Sequence, residues 1–480
     1  MYLGLDLGTS GIRALLMDGA QTIIGSAHAD LTLSRPHPGW SEQTFEGWIT
    51  AARSAIAALK AAHPVEFGAV RGIGLSGQMH GATLLDDAGQ ALRPAILWND
   101  TRASAEAAEL DARPEFRALT GNIVFPGFTA PKLMWVARHE PEIFRRTKRV
   151  LLPKDALRLW LTGEAVSDMS DASGTSWLDV AARDWSDTLL EATNLSRDHM
   201  PRLVEGSDPS GDLRRELLAE WGLSGPVVVA GGAGDNAASA IGMGMVQEGQ
   251  AFVSLGTSGV LFAANDAFRP KPESAVHAFC HAVPGRWHQM GVILSATDAL
   301  NWHAKICGMD AATLDAEIGA TVQAPGAVTF LPYLSGERTP HNDARIRGLF
   351  AGLGHEADRP ALTRAVMEGV AFALADNLAA LRSAGARVER VVAVGGGSQS
   401  AYWLGAIATA LNLPVDVPER GDFGAAFGAA RLGLMAHTGQ GVDSVCTPPA
   451  IDHTITPDPT LRGAYDAAYA RFRNLYKVMA

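Results

Sequence analysis

The pentapeptide LGTSG occurs twice, at Leu7–Gly11 and again at Leu255–Gly259, and this repetition constrains the fold more than any other feature of the chain. Each copy sits between short runs of strand-forming residues: YLGLD and IRALLMD around the first, AFVS and VLFA around the second. That context predicts strand, Gly-Thr-Ser-Gly turn, strand, which is a β-hairpin. Between the copies, Phe45, Trp48, Ile49, Ala52, Ile56 and Leu59 recur as one apolar helical face, while VVVA at Val227–Ala230 reads as a strand.

The second half repeats the logic. A helix is predicted from Leu362 to about Ser383, then the strand RVVAV, the turn GGGSQS, another helix and the strand LPVDV. Two halves of mixed strands and helices, each headed by a like hairpin, predict an α/β chain of duplicated architecture. The boundary falls in the glycine-flanked GMGMVQEGQ, giving domains 1–246 and 247–480. The stretch from His437 to about Asp458 reads as a loop before a C-terminal helix.

Composition narrows the partners. A length of 480 residues allows two substantial cores, and a net charge of −11 argues against a nucleic-acid coat, leaving a small metabolite as the expected ligand. Glycine is abundant, 51 residues against an average usage of about 7%, and with 47% hydrophobic content the surplus marks tight turns rather than disorder. Cys280, Cys307 and Cys446 are scattered, as reduced thiols are. No apolar run of 18 residues and no leader-like start is present, so a cytoplasmic protein without membrane attachment is expected.

A Gly-Thr-Ser-Gly turn exposes backbone N–H groups and hydroxyls that can cradle an anion such as phosphate, although an ordinary hairpin turn is the alternative for either copy alone. Rival phosphate motifs fail. There is no GxxxxGK[ST], and the GxGxxG at Gly72, Gly74 and Gly77 leads into another strand-like run instead of opening a helix. Asp6 precedes the first LGTSG where Ser254 precedes the second, so one hairpin alone brings a carboxylate; it either binds Mg²⁺ through phosphate and water or caps the turn. Asp235, in VVVAGGAGDNAASAIG, is either a helix N-cap or a general base at a strand end. His80, Arg338 and His341 lie in polar loops, and loop histidines are more often structural. HAFCH lacks the second ligand pair of a zinc site, and Trp98 and Trp302 read as ligand-stacking or core residues.

Taken together and in order, YLGLDLGTSGIRALL, SGQMHGATLLD, RPAILWND, GGAGDNAASAIG, SLGTSGV, FLPYLSGERTPHND and VGGGSQS resemble the FGGY family of carbohydrate kinases over residues 1 to about 435. QMHG and YLSGERTPH resemble its xylulose-phosphorylating members. The resemblance implies an actin-like (ribonuclease H-like) ATPase fold, with nucleotide in the cleft between two duplicated domains. It implies ATP-dependent phosphorylation of D-xylulose to D-xylulose 5-phosphate, with Asp235 as base and Met79, His80 and Asn236 on the sugar. The paired hairpins, through Thr9, Ser10, Gly256, Thr257 and Ser258, would hold phosphates. Gly395, Gly396 and Gly397 would form the adenosine-side loop, and Asp6 would organise Mg²⁺ through water. A homodimer is compatible with this reading. The competing readings are a kinase for another ketose or polyol and a non-catalytic actin-like sugar sensor. Two departures from the family pattern stand out: Arg13 where Lys is common, and GGAGD where GGGD is common.

Overall fold

The computed structural model describes residues 1–419 and 424–479. The chain divides into two compact units, the first made of Met1–Val246, Phe279–Trp287 and Asp422–Pro448, the second of Gln247–Ala278, His288–Gly421 and Pro449–Ala480.

In the first unit, β1 (Tyr2–Leu7) and β2 (Gly11–Met17) form the expected antiparallel hairpin, and β3 (Ile23–Asp30) extends it along the β2 edge. On the other side β4 (Gly72–Gly77) runs parallel to β1, followed by β6 (Val228–Ala230), parallel to β4, and β5 (Pro209–Asp212), antiparallel to β6. The short β7 (Ala233–Gly234) also pairs with β4. The helix Phe45–Ala62 turns Phe45, Trp48, Ala52, Ile56 and Leu59 into the core, as its periodicity predicts, with Thr44 capping its first turn.

The second unit repeats the plan. β8 (Ala251–Leu255) and β9 (Gly259–Asn265) form the second hairpin, followed in sequence by β10 (His277–Cys280) and β11 (Trp287–Ile293). β12 (Val391–Val394) runs parallel to β8, β13 (Val415–Pro418) parallel to β12, and β14 (Ile451–Ile455) closes the other edge antiparallel to β13. The predicted helix near Leu362 spans Arg359–Ser383, begins on an Asp358 cap and is buried along its middle, from Ala365 to Leu378.

Two features lie outside a linear reading. The helix Ala425–Thr438 packs within the first unit, far in sequence from the residues it touches. The reason is contact between backbones: a Cβ built on Gly74 would lie 1.7 Å from the Ala429 carbonyl oxygen, one on Gly4 1.9 Å from that of Ala426, and one on Gly428 1.8 Å from that of Ala238. Small residues on both surfaces let this helix lie directly on β1, β4 and the helix Asp235–Gly242, and such pairing is invisible to a linear reading. It also explains the GxGxxG of β4, where Gly72 and Gly74 are packing positions. Secondly, the stretch read as a loop from His437 to Asp458 contains β14. Its residues are mostly exposed, so it carries no apolar alternation, and β-branched Ile451, Thr454 and Ile455 pair with β13 at the sheet edge.

Cys280, Cys307 and Cys446 are free thiols. Among the described residues no helix is long and apolar enough to cross a membrane.

Candidate active site

In the first unit, strand register gathers the polar residues. Asp6 is opposite Ser76 on β4 and Arg13 on β2, while Ser76 is also opposite Ala233 on β7, two residues before Asp235. The C-terminal ends of β1, β4 and β7 therefore deliver both carboxylates to one edge of the sheet. Ser76 Oγ donates to Asp6 Oδ1 at 2.9 Å. Burial raises the Asp6 pKa, with the Ser76 hydrogen bond and the Arg13 charge opposing it.

The turn after β1 is braced from behind. Thr9 Oγ1 donates to Gln78 Oε1 (2.9 Å) and accepts from Trp98 Nε1–H (3.0 Å), while Gln43 Nε2 donates to Thr9 O (2.8 Å). Gln43 in turn accepts from Gln78 Nε2 and from the buried Trp48 indole, both at 3.0 Å. The Thr9 hydroxyl is thus committed to the protein, and the exposed Ser10 is the free hydroxyl of this turn.

Asp235 is the first residue of the helix Asp235–Gly242, whose N-cap is Gly234, so the N-cap reading of Asp235 is not what the helix shows. Its Oδ1 accepts the Asn236 backbone N–H (2.7 Å) and Asn236 Nδ2 (3.0 Å). Burial pushes the Asp235 carboxyl up to about 6; the Asn236 hydrogen bonds oppose this and the nearby Asp6 charge adds to it. Such a group is mostly ionised at neutral pH yet more basic than an ordinary aspartate.

Met79 and His80 follow β4 into the same region. Met79 is buried against the Gly234 backbone, where an added Cβ would lie 2.9 Å from its Cγ and Sδ. His80 takes a left-handed conformation (φ 69°) that is held on several sides. Its carbonyl accepts from Thr129 Oγ1 (3.1 Å) and Lys132 Nζ (2.8 Å), its ring stacks on Phe128, and its Nδ1 lies 2.7 Å from Gly174 O. A carbonyl only accepts, so Nδ1 carries the proton of this contact. Lys132 is fully buried, and burial drives its pKa well below the ordinary amine value.

The second unit repeats the turn with a different register. Leu7 pairs with Ile12 in the first hairpin, whereas Leu255 pairs with Gly259 in the second, so identical pentapeptides close with four and three intervening residues. The difference follows from what holds each turn. In the second, Gly256 O accepts from Thr297 N (2.9 Å) and Thr297 Oγ1 (2.7 Å), and Thr257 O accepts from Ala296 N (2.8 Å), tying the turn to the start of the helix Thr297–Cys307. Thr257 and Ser258 remain exposed.

Gly395 and Gly396 line a cavity of about 580 Å³ within this unit, together with Ser398, Gln399, Pro418 and His453, a size ordinary for a small-molecule site. Gly395 has φ 90°, and a Cβ there would lie 2.7 Å from Leu255 O at the root of the hairpin. Gly397 is buried away from the cavity; Leu255, Thr297 and Trp403 fill the space beside it.

Other sequence candidates have structural roles. His341 stacks on Tyr476 with 3.6 Å between ring centroids, and Trp302 stacks on Phe330. Among the described residues the HAFCH side chains form no metal-ligating cluster.

Sequence profiles of the FGGY family of carbohydrate kinases match this chain, the N-terminal domain over residues 1–242 and the C-terminal domain over residues 251–437. The chain is an FGGY carbohydrate kinase. A xylulose kinase of Escherichia coli strain K12 is 50% identical to it over 482 residues, covering 99% of each chain. A crystal structure described as a "xyloylose kinase" from Brucella ovis superposes with a TM-score of 0.99 at 68% identity over 99% of both chains. That of a xylulose kinase from Rhodospirillum rubrum gives 0.92 at 32%, over 99% of this chain and 98% of that one. The fold of this FGGY kinase is the actin-like ATPase fold.

Sequence reasoning missed the residues that hold this kinase's site in place: Ser76, Gln78, Lys132 and Gly174. Ser76 and Gln78 stand inside the SGQMHG run, which does not show what they bind, and no local pattern marks Lys132 or Gly174, because all of the partners lie far away in sequence. Trp98 was legible only as one of two choices. Its side chain is 49% exposed beside the first turn, so a core role is excluded. Arg13 keeps a positive charge acting on Asp6, and the extra residue of GGAGD still delivers Asp235 to the helix start.

Proposed function

We propose that this kinase transfers the γ-phosphoryl group of ATP to the C5 hydroxyl of D-xylulose, giving D-xylulose 5-phosphate, with Asp235 as general base. The observation that carries the reading is the Asp235 carboxylate itself, fixed at a strand–helix junction beside Met79 and His80 and raised to about 6 by burial. Relatives over the full chain length are xylulose kinases, which supports the choice of sugar.

Met79, His80 and Asn236 present the sugar, with Trp98 offering an apolar face. Asp235 accepts the proton of the C5 hydroxyl as the new O–P bond forms, and Asn236 keeps the receiving oxygen in place. The turns at Thr9–Ser10 and Gly256–Ser258 offer backbone N–H groups and the Ser10, Thr257 and Ser258 hydroxyls to phosphate oxygens, and Gly395 and Gly396 leave open space for the adenosine end. Asp6 suits Mg²⁺ held through water: it is a half-buried carboxylate whose charge is felt at Asp235, so a cation beside it relieves repulsion between the two acids. When bound, Mg²⁺ supplies neutralisation of phosphate charge.

The test is ADP release with Mg-ATP and D-xylulose, L-xylulose, D-ribulose, gluconate or glycerol, against a blank without sugar. D-Xylulose is expected to give the highest kcat/KM; a higher value for another sugar overturns the sugar assignment. Asp235→Ala is expected to bind both substrates and lose on the order of 100-fold or more in kcat. Turnover near that of the wild type removes Asp235 from the base role.

A further inference from the structure

Beneath the Asp235 turn lies a group of charges that substrate binding does not use. Lys154, Asp155 and Arg158, on the helix Pro153–Thr162, and Asp168 and Asp171, around the helix Met169–Ala172, are all fully buried. Lys154 Nζ lies 2.6 Å from Asp155 Oδ1, 2.7 Å from Asp168 Oδ1 and 3.0 Å from Asp171 Oδ2. Arg158 Nη1 lies 2.9 Å from Asp155 Oδ1, and Ser167 Oγ donates to Asp155 Oδ2 at 2.6 Å. The three carboxyls are close enough to suggest a metal site, but the Lys154 ammonium already reaches all three. Burial pushes the Asp171 carboxyl well above the ordinary range, with the Lys154 ammonium opposing it.

Buried ion pairs are a poor source of stability, because desolvation offsets most of their attraction and apolar replacements of similar volume are often as stable. Their contacts outside the cluster suggest a different use. Arg158 Nη2 donates to Gly231 O. Ser170 Oγ accepts the Gly234 N–H at 3.1 Å while donating to Asp168 Oδ2. Both contacts fall on the turn Gly231–Gly234, directly before Asp235. Its other ties are through the backbone: Gly231 N to Asp208 O (2.8 Å), Gly232 N to Gly206 O (2.9 Å) and the pairing of Ala233 and Gly234 with Ser76 and Gly77 on β4. Gly232, at φ 79°, leaves no room for a side chain: a Cβ would lie 2.5 Å from Leu75 O and 3.1 Å from Arg158 Nη2.

We propose that Arg158 and Ser170 are positioning residues for Asp235, locking the Gly231–Gly234 turn so that the carboxylate is held at the position the sugar hydroxyl must meet. The inference rests on Asp235 being the base. The charged cluster is then a rigid mount: Asp155 orients the Arg158 fork, Asp168 orients the Ser170 hydroxyl, and Lys154 compensates both acids. Hydrogen bonds of fixed direction suit this task better than apolar packing, which would permit the turn to slide.

The test is a double-mutant cycle. Ser170→Ala, Ser170→Thr and Arg158→Lys are made in the wild type and in Asp235→Ala, and kcat, both KM values and melting temperature are measured. Displacing a reacting group by about 1 Å costs on the order of 100-fold, so Ser170→Ala is expected to lower kcat by roughly 10- to 100-fold. Neither residue touches substrate, so both KM values stay within about threefold, and Ser170→Thr restores part of kcat. In the Asp235→Ala background the same substitution changes residual turnover by less than about twofold, because there is no carboxylate left to position. An equal loss in both backgrounds, an unchanged kcat or a loss confined to KM overturns the positioning role and leaves Asp235 as base. Near-normal turnover of Asp235→Ala alone overturns the base reading and the positioning role with it. If Ser170→Ala does not fold, Arg158→Lys carries the same cycle; failure of both to fold assigns the cluster to stability and refutes the proposal.

Discussion

A buried carboxylate is held at some cost to the fold, and Asp235, the base proposed above, permits that cost to be measured. Its carboxyl stands at about 6 against an ordinary value of 3.8, which at 1.36 kcal/mol per pH unit is about 3 kcal/mol of destabilisation once the group is ionised in the folded state. The sign follows from linkage: the folded protein binds this proton more tightly than the unfolded chain, so the associated stability is full below pH 3.8 and is lost as pH rises through 6. Asp235→Asn removes the charge and keeps an oxygen to accept the Asn236 donors, whose preference for the ionised carboxylate is already contained in the value of about 6. The net expectation at pH 8 is a gain of about 3 kcal/mol, or roughly 6–12 °C in melting temperature. At pH 4.5 the ionisation cost in the wild type shrinks to about 1 kcal/mol, and the advantage of the variant falls with it to about 1 kcal/mol. Calorimetry of both substrate-free proteins at the two pH values is the assay. A variant that melts lower at pH 8, or a difference that does not change between pH 8 and pH 4.5, refutes the argument that burial of this charge sets its pKa.

Three further outcomes follow from the same geometry. Asn236→Ala removes a donor that favours the ionised Asp235, so the acid limb of the kcat/KM profile, expected near pH 6, should move up by about half to one pH unit; an unmoved limb refutes the contact. Gly74→Ala would drive a methyl into the Ala429 carbonyl at 1.7 Å and should destabilise the first unit by about 3 kcal/mol or more, read as a fall in urea midpoint that a wild-type curve would contradict. Gly395→Ala, strained by its positive φ and by Leu255 O, should raise the KM for ATP by on the order of tenfold while changing that for the sugar little, whereas an equal rise in both would contradict the assignment of the cavity.

The parts of this fold that the sequence makes legible are those with a local code. The two LGTSG hairpins, the helix beginning at Phe45 and the strand–turn–helix ending in Asp235 all carry their periodicity and turn chemistry within a few residues. Other features depend on distant partners. The fit of the helix Ala425–Thr438 to Gly4 and Gly74 is a coincidence of small residues separated by most of the chain, and β14 is a strand because β13 offers it an edge. The register of each hairpin was likewise hidden, since the same five residues close differently when Leu31 and Gln43 hold one turn and Thr297 holds the other.

Glycine shows most clearly why a motif cannot be read without its neighbours. Gly74 and Gly395 both lie in glycine-rich runs that a scan would mark as phosphate-binding, yet the first exists because a helix carbonyl occupies the space of its side chain. Gly395 combines a left-handed backbone with the edge of an open cavity. Gly397, only two residues further, is again a packing glycine. What separates them is whether the missing side chain leaves room for protein or for a ligand. Asp235 is subject to the same distinction: in the proposed role, the burial that would mark a carboxylate as a structural defect becomes a resource, provided that a substrate hydroxyl reaches it and that Arg158 and Ser170 fix the turn behind it.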